Sequence, residues 1–490
     1  MSLQLCPFDL LSDDLLWQVL NSQDGQGGWF AIMRIVCRRF RKIVDGNQCT
    51  VVIKMTSQAV SDEGHAGLVA LAKRMQLLRK IEFDGGGTTS LDLHAILVAS
   101  GIASRITSLR LTSIRVVSLC DVLNVLAPGL RTLDLYQTTL DKPLARSLGS
   151  LTALTELMLR ELHQQDRGGR DAVAAVCQAV TGMTSLSALD IGKVTAVLIV
   201  PSLSLMTQLT RLTMDHAFVH PRGADSRFKV QALANAASVI GPALASLANL
   251  VQLDLGYNFF NSDTSESVAS ALCSMTALRR LSLHHTVLPG PGVAGRIGQL
   301  TFLRELDLNG TRIPHPGVVQ RMDRMEHLDI SGNLVIWPTQ MPSLRRLDLR
   351  NINGTFNGVG ISDRLLSISS SLPALTALTS LDLSGNWDID VVKLLQPYPL
   401  QWRALMHLNL SSSRVSWTVD TMYMFHAMPN LTSLDMRSCR INDAIAKNLR
   451  FHFGNMTGLR HLDLSGNPYI GPEAISSFAR RWPQLHIVHD

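Results

Sequence analysis

Residues 303–311 read Leu-Arg-Glu-Leu-Asp-Leu-Asn-Gly-Thr, and residues 459–467 read Leu-Arg-His-Leu-Asp-Leu-Ser-Gly-Asn. Both stretches carry the pattern L-x-x-L-x-L with a polar residue, Thr311 or Asn467, at the ninth position. The alternation of the last two leucines predicts a short β-strand with those leucines turned inward, because successive side chains of a strand point to opposite faces. The polar ninth residue can bind backbone groups at the turn that follows. The stretch therefore predicts a strand and a turn.

Counting degenerate versions, the pattern occurs fifteen times. The copies open at residues 78, 106, 130, 154, 186, 209, 250, 278, 303, 325, 344, 378, 405, 431 and 459, and a truncated copy follows at Leu485. Their mean spacing of about 27 residues is typical of leucine-rich repeats. Between copies, segments such as Asp171–Val180, Ser265–Met275 and Pro472–Arg480 have apolar residues at helical spacing. The sequence thus resembles leucine-rich-repeat proteins. It predicts an α/β fold, a horseshoe solenoid of about 15 repeats whose parallel strands form a concave sheet.

The composition excludes several other classes of protein. The chain has 490 residues, 46% hydrophobic and 17% charged, with a formal net charge of +6, so wholesale disorder and a nucleic-acid-binding tail are not expected. Seven cysteines without a C-x-x-C pair predict neither a disulfide framework nor a zinc site. The first twenty residues contain three aspartates and no basic residue, which is unlike a secretory signal. No apolar run approaches the length of a membrane span. We expect an intracellular protein, cytoplasmic or nuclear.

The first fifty residues do not follow the repeat. Residues 12–20 read Ser-Asp-Asp-Leu-Leu-Trp-Gln-Val-Leu, and residues 35–44 read Ile-Val-Cys-Arg-Arg-Phe-Arg-Lys-Ile-Val. Both stretches have apolar residues at helical spacing, which predicts two short helices. Two helices of this size have too little interior to be stable alone. They are expected either to dock on the first repeat or to share their core with a partner.

These two stretches resemble an F-box over roughly residues 10–46. The resemblance implies binding to a Skp-family adaptor and a cullin, so that the chain would be the substrate-recognition subunit of a Skp–cullin–F-box ubiquitin ligase. It assigns adaptor binding to apolar residues of both helices: Leu15, Leu16, Val19, Leu20, Val36, Cys37 and Phe40. The domain prediction is an F-box-like helical segment over residues 1–50, a junction and N-terminal cap over residues 51–77, and the solenoid over residues 78–490.

A different interpretation of the N-terminal helices remains open. End repeats expose their core and need a lid, so the helices would then only cap the array. The chain would in that case be a non-catalytic scaffold or assembly factor. An effector that mimics an F-box inside a host cell would use the same contacts as the ligase subunit, and the sequence does not separate these two.

The predicted concave face carries a mixed-sign charge pattern. Its fifth repeat position is aspartate in nine copies, and arginines precede it. The candidates for binding an unknown protein client are the charged residues of four successive copies: Arg279, Arg280, Arg304, Asp307, Asp329, Arg345, Arg346 and Asp348. The alternative to client binding is that Leu-Asp-Leu is simply a common sequence for this strand in leucine-rich repeats. The cross-strand ion pairs would then only keep the face soluble.

The sequence contains no motif that indicates catalysis. The nucleophile, metalloprotease and phosphate-loop patterns are absent, so we expect a non-enzyme without a cofactor or a metal ion. His284 and His285 are adjacent at a strand end, and strand alternation predicts that they point to opposite faces. The basic stripe from Arg34 to Lys42 is short and has few aromatic residues beside it, so nucleic-acid binding is not expected.

Overall fold

The computed structural model describes residues 50–54, 69, 73, 77–84, 90–113, 115–116, 119–137, 139–140, 142–160, 163–164, 169–192, 199–218, 237–290, 292–311, 322–333, 341–352, 375–395 and 399–490. The chain divides into two compact units, Met1–Leu209 and Thr210–Asp490.

The N-terminal unit contains a parallel sheet with one strand per repeat. Its strands are β1 (Thr50–Lys54), β2 (Lys80–Asp84), β3 (Ser90–Leu91), β4 (Ser108–Thr112), β5 (Arg115–Val116), β6 (Thr132–Tyr136), β7 (Thr139–Leu140), β8 (Glu156–Arg160), β9 (His163–Gln164) and β10 (Ala188–Asp190). Strands β1, β2, β4, β6, β8 and β10 pair in that order. The two-residue strands pair separately, β3 with β5 and β7 with β9. The sheet therefore begins one strand before the first predicted repeat, at the boundary between the predicted F-box-like segment (1–50) and the predicted junction and cap (51–77).

Helices connect these strands. Among the described residues, the helices are α1 (Leu93–Ser100), α2 (Leu119–Leu126), α3 (Lys142–Leu148) and α4 (Gly169–Gly182), with 3₁₀ helices at Ala103–Arg105 and Val200–Leu205. Helix α1 begins at Asp92, whose side chain accepts the Ala95 N–H, and it ends at Gly101, whose φ of 67° is left-handed. Helix α4 confirms the helix predicted around Asp171–Val180.

The C-terminal unit repeats the arrangement with eleven described strands. They are β11 (Arg211–Thr213), β12 (Gln252–Asp254), β13 (Arg280–Ser282), β14 (Glu305–Asp307), β15 (His327–Asp329), β16 (Arg346–Asp348), β17 (Ser380–Asp382), β18 (His407–Asn409), β19 (Ser433–Asp435), β20 (His461–Asp463) and β21 (His486–Val488). Each is parallel to its neighbours in sequence order. The truncated copy predicted at Leu485 thus forms a strand.

The segments between these strands are of mixed type. A helix passes through residues 237–245. The other helices in the described part of this unit are α5 (Ser262–Ser274), α6 (Val293–Gly298), α7 (Val391–Leu395), α8 (Val419–Tyr423), α9 (Asp443–His452) and α10 (Pro472–Arg481), with 3₁₀ helices at Pro399–Ala404, Met424–Ala427 and Phe453–Asn455. Helices α5 and α10 confirm the two further helices predicted from the sequence. The predicted leucine-rich-repeat solenoid with a parallel sheet is therefore confirmed.

The core lies between the strands and the segments that follow them. All three leucines of a repeat are buried, as Leu303, Leu306 and Leu308 show. Leucines at the same position of successive repeats pair directly, for example Leu306 with Leu328. Burying each leucine stabilises the fold by roughly 1.5–3 kcal/mol. Because no repeat can close this core alone, each depends on its neighbours.

The polar ninth position satisfies backbone groups, as predicted. The buried Asn258 side chain donates to the carbonyl of Leu255 in its own repeat at 2.8 Å and to that of Met214 in the preceding repeat at 2.9 Å. Thr286 donates to the same Leu255 carbonyl at 2.6 Å. Asn333, Asn386, Ser413, Cys439 and Asn467 also reach back to the preceding repeat. This row of bonds fixes the spacing of the turns.

The eighth position has a left-handed backbone in each repeat where the structure describes it. It is filled by Ser113, Gln137, His216, Tyr257, His285, Gly310, Gly332, Asn351, Gly385, Ser412, Ser438 and Gly466. Glycine adopts this conformation freely, whereas other residues lose roughly 1–2 kcal/mol. The turn therefore favours glycine or a short polar residue, and three bulky rings there are unusual.

Among the described residues, no helix combines the length and apolar character needed to cross a membrane. Four cysteines, Cys120, Cys177, Cys273 and Cys439, are free thiols.

Candidate functional site

The candidate site lies on the surface of the C-terminal unit that is formed by the second, third and fifth residues of each repeat, which we call the open face. Strands β13 to β16 place Arg280, Glu305, His327 and Arg346 in one cross-strand row. The same register aligns Ser282, Asp307, Asp329 and Asp348 in a second row. All eight predicted client-binding residues thus lie on or just before four neighbouring strands.

Two of the predicted arginines pair across strands at the surface. Arg280 Nε lies 2.9 Å from Glu305 Oε1, and Arg304 Nη1 lies 2.9 Å from Glu326 Oε1. These side chains are largely exposed, so each pair contributes no more than about 1 kcal/mol. The pairs order the surface and stabilise it only slightly.

Asp348 is the most enclosed of the predicted charges, with a side chain only 4% exposed. Burial by itself would raise the pKa of this carboxyl group. The hydrogen bond with His327, at 3.2 Å, and the charges of Arg346 and Arg350 outweigh burial and lower its pKa. Arg346 Nε lies 3.1 Å from Asp348 Oδ2 and so compensates a charge that cannot reach water.

Arg350 is a charged residue of the candidate site that the sequence did not single out. Its guanidinium Nη2 lies 2.8 Å from Oδ2 of Asp329, whose side chain is 9% exposed. It stands two residues after Asp348, just beyond the repeated L-x-x-L-x-L pattern. A search that extended each repeat by two residues would have found Arg350 and Arg437, which pairs with Asp435 at 2.8 Å.

The aspartates at the fifth repeat position accept backbone hydrogen bonds in addition to forming ion pairs. Asp307 Oδ1 accepts the backbone N–H of Asn309 at 2.9 Å, which closes the turn after the strand. The same bond occurs at Asp254, Asp329, Asp382, Asp435 and Asp463. The frequency of aspartate at this position therefore reflects turn formation, which supports the structural interpretation of these aspartates.

Three predicted charges lack an ion-pair partner among the described residues. Arg279 donates to the backbone carbonyls of Thr276 and Leu278, at 2.8 and 2.9 Å. Arg345 is exposed, and no side-chain bond joins it to any other described residue. No cationic group of the described residues lies within ion-pair distance of Asp307, and burial together with the nearby Asp329 raises its pKa despite the Asn309 N–H and the more distant His284. These three groups are the unneutralised part of the surface.

An aromatic stack adjoins the charged rows, and sequence reasoning did not identify it. The Tyr257 ring is stacked with His216 at 4.3 Å between centroids and with His285 at 4.9 Å. His284 meets Tyr257 edge-on at 4.9 Å. Tyr257 keeps 39% of its surface exposed. We call these four residues the ring stack.

The backbone explains why the ring stack was missed. His216, Tyr257 and His285 all occupy the left-handed eighth position, with φ of 54°, 56° and 52°. Strand alternation ends there, so the prediction that His284 and His285 point to opposite faces was wrong, and both rings contact Tyr257. Gly310 in the next repeat leaves room for the stack, because a Cβ there would lie 2.5 Å from His285 Nδ1.

Carboxylates border the ring stack. His216 Nδ1 lies 3.2 Å from Asp215 Oδ2, and His284 Nδ1 lies 3.7 Å from Asp254 Oδ1. Burial raises the pKa of Asp254, and the Gly256 N–H and His284 only partly oppose it. Among the described residues, no group of three or more His, Cys, Asp or Glu side chains could hold a metal ion.

The predicted adaptor-binding residues, Leu15, Leu16, Val19, Leu20, Val36, Cys37 and Phe40, lie outside the described residues.

Comparison with known proteins gives matches to repeat proteins. The family model for a leucine-rich repeat matches residues 427–449 and 455–479, that is, two repeats at the C-terminal end. No curated protein matches the sequence. A leucine-rich-repeat protein of Leptospira interrogans is 15% identical, with a TM-score of 0.48 over 89% of this chain and 99% of that one. An internalin of Listeria monocytogenes is also 15% identical, with a TM-score of 0.33 over 92% and 88% of the two chains. Leucine-rich repeats of this kind indicate a scaffold for protein–protein interaction.

Proposed function

We propose that this chain is an adaptor that binds a protein client on the open face of strands β12 to β16, with the ring stack at one side of the contact. The main support is that unneutralised charges and an exposed aromatic stack lie in adjacent strands. Tyrosine and arginine are enriched at the energetic centres of protein interfaces. Arg345 is exposed and has no side-chain bond to another described residue, and Tyr257 keeps 39% of its surface exposed although it is stacked with two histidines.

A variant of one exposed arginine tests the client-binding surface. Arg345→Glu removes a group that holds no described ion pair, so the fold should be unaffected while a client is recovered at least tenfold less. Arg460→Glu is a matched control, because Arg460 occupies the same repeat position and binds only backbone carbonyls. Equal client recovery with both variants would show that the surface around Arg345 does not bind the client.

The finer proposal is that the adaptor serves as the substrate-recognition subunit of a Skp–cullin–F-box ubiquitin ligase. It rests on the F-box-like stretches around Leu15 and Val36 and on their position directly before the repeats. Such a subunit needs no catalytic group of its own, because ubiquitin transfer takes place on other subunits of the ligase.

A pull-down tests this finer proposal. The full-length protein and a truncated protein beginning at Gly46, which keeps β1 complete, are probed for a Skp-family adaptor and a cullin. Recovery with the full-length protein alone supports the ligase subunit. If both proteins fold and neither recovers the adaptor and the cullin, the N-terminal helices act as a cap, and the protein is a scaffold.

Replacing Val36 and Phe40 by alanine in the full-length protein shows whether these residues contact the adaptor or form the core of a cap. Only loss of a cap core would lower the melting temperature of the repeats.

A further inference from the structure

A second exposed surface lies on the helical side of the C-terminal repeats, away from the strands. Val419 and Tyr423 are four residues apart on helix α8 and are 69% and 66% exposed. Phe451, near the end of helix α9, is 75% exposed. Apolar side chains that are this exposed bury little surface and therefore contribute little to the stability of the fold. A cluster of them is typical of a surface that binds another molecule.

Two histidines join these aromatic residues. The His452 ring lies 5.5 Å from Phe451 and 6.4 Å from Tyr423, and Tyr423 lies 4.9 Å from His426. His426 Nε2 and His452 Nδ1 are 3.0 Å apart, within hydrogen-bonding distance. Tyr423 and Phe451 are therefore held by a common support, and we call the four rings the helix-side patch.

The helices present this patch because of their sequence. Ala446, Leu449 and His452 of α9 are buried against the core, at i, i+3 and i+6. Lys447 and Phe451, one turn apart, then face outward on the opposite side. Because Phe451 is not part of the core, it can be replaced without unfolding the repeat.

The surroundings of the patch are basic. Lys447 and Arg450 are exposed on α9, and Arg480 and Arg481 are exposed at the end of α10. Arg481 reaches back toward α9, since a Cβ on Gly454 would lie 3.3 Å from its guanidinium. Within residues 399–490, no acidic group lies within ion-pair distance of these four side chains.

Of the acidic residues on the same helices, those of α9 and α10 lie at the opposite helix ends, whereas Asp420 lies on the five-residue α8, one turn before Tyr423. Asp420, Asp443 and Glu473 are in the first turns of α8, α9 and α10. Asp443 and Phe451 are eight positions apart, which is about 12 Å along the helix. Asp443 also accepts the Gly471 N–H at 2.7 Å. The side of the repeats that carries Phe451 is thus a region of positive charge around exposed aromatic rings.

We propose that the helix-side patch is a second docking surface, which binds an acidic segment of a protein partner with an apolar anchor. Carboxylates of that segment complement Lys447, Arg450 and Arg481, and its apolar side chain packs on Tyr423 and Phe451. Charge complementarity selects this occupant, because a neutral apolar partner would leave the four cations uncompensated. The proposal does not depend on the function of the open face.

Peptide selection on the full-length protein tests the proposal. A display library of random dodecapeptides is first depleted on a Tyr423→Ala/Phe451→Ala double variant and then selected on the wild type. The expected survivors are rich in Asp and Glu and contain an aromatic or aliphatic residue. A synthetic survivor should bind the Phe451→Ala variant at least tenfold more weakly than the wild type, and binding should weaken with added salt.

Matched variants keep the result specific. Tyr469→Ala removes another highly exposed aromatic residue and should leave peptide binding unchanged, as should Arg345→Glu on the open face. Thermal unfolding of Phe451→Ala should match that of the wild type. Three results would overturn the proposal: survivors without an excess of acidic residues, Phe451-dependent binding to phosphatidylserine vesicles in place of peptides, or a Phe451-dependent dimer in sedimentation velocity.

Discussion

The side-chain amide of Asn386 donates to the Leu349 carbonyl of the preceding repeat at 2.9 Å. It also donates to Leu383 in its own repeat at 2.6 Å, and its oxygen accepts the Ile352 N–H at 2.8 Å. Asn386 is completely buried. One side chain therefore satisfies three backbone groups of two repeats that have no access to water.

Replacing Asn386 by alanine should destabilise the C-terminal unit. The Leu349 carbonyl and the Ile352 N–H lose their side-chain partner, whereas the Leu383 carbonyl keeps its bond from Ser413. The expected cost is about 2–4 kcal/mol in the free energy of unfolding. Urea unfolding followed by circular dichroism measures this cost. Asn448→Ala, on the exposed side of α9, is the control and should change stability by less than about 0.5 kcal/mol. Equal effects of the two variants would contradict the role of the ninth position.

Gly310→Ala and Gly295→Ala should change stability in opposite directions. Gly310 has a φ of 65°, and a Cβ there would lie 2.5 Å from His285 Nδ1, so the substitution should cost at least about 1–2 kcal/mol. Gly295 lies inside α6 with no atom within 4 Å of a new Cβ, so alanine should stabilise the protein by about 0.5–1 kcal/mol. Thermal melts of both variants check the signs.

Removing Arg350 should cost more than removing Arg304. Arg350→Met leaves the enclosed Asp329 carboxylate without its guanidinium partner, a loss of about 1–3 kcal/mol. Arg304→Met breaks an exposed pair with Glu326 and should cost less than about 1 kcal/mol. A double variant with Asp329→Asn should recover part of the Arg350 loss. Additive losses in unfolding experiments would show that the two residues are not coupled.

Cys439 should be inert toward thiol reagents in the folded protein. Burial raises the pKa of this thiol to about 12, and its Sγ lies 3.1 Å from the Leu410 carbonyl, to which it donates. The reactive thiolate is therefore scarce at neutral pH. Mass spectrometry after brief alkylation should find Cys439 unmodified in native protein and modified in urea. Rapid native labelling of Cys439 would contradict its buried placement.

Acidification should destabilise the wild type through His452. Burial and the neighbouring His426 lower the pKa of His452, so its folded-state pKa lies below the value of about 6.5 expected in the unfolded chain. The unfolded state then binds more protons, and stability present above pH 6.5 is lost as the pH falls toward the folded-state pKa. Unfolding at pH 7.5 and 5.5 should show a smaller loss for His452→Gln. An identical loss in both proteins would exclude this contribution.

The sequence predicted the strands because one rule governs them. Leu306 and Leu308 are both buried, as the repeated pattern predicts, and Leu306 pairs with Leu328 of the next repeat. The polar ninth position was also predicted, since Asn467 and its equivalents must satisfy backbone that no strand pairs with. These features depend on short-range sequence alone.

The proposed binding surfaces depend on contacts between repeats, and the spacing of the repeated pattern does not show these contacts. Arg350 reaches Asp329 across 21 positions of sequence, and Tyr257 meets His216 across 41. The exposure of Phe451 follows from which side of α9 packs inward, and its contact with His452, which meets His426 of the preceding repeat, is a relation between repeats. The F-box-like residues around Val36 and the client of the open face remain predictions.

The register of the C-terminal sheet places equivalent side chains at a regular distance along the direction that crosses the strands, and a ligand that crosses them meets that spacing. Successive strands begin 19 residues apart at β15 and β16 (327 to 346) and 41 apart at β11 and β12 (211 to 252), yet each pair is aligned residue by residue. An extended ligand chain presents a side chain on one side every 6.6–6.8 Å or so, whereas strands recur about every 4.8 Å. Three ligand steps, about 20 Å, therefore match four strand steps, about 19 Å. Because these two distances nearly coincide, two ligand residues that are six positions apart would meet equivalent positions of strands four repeats apart. Arg280 and Ser380 are one such pair of positions.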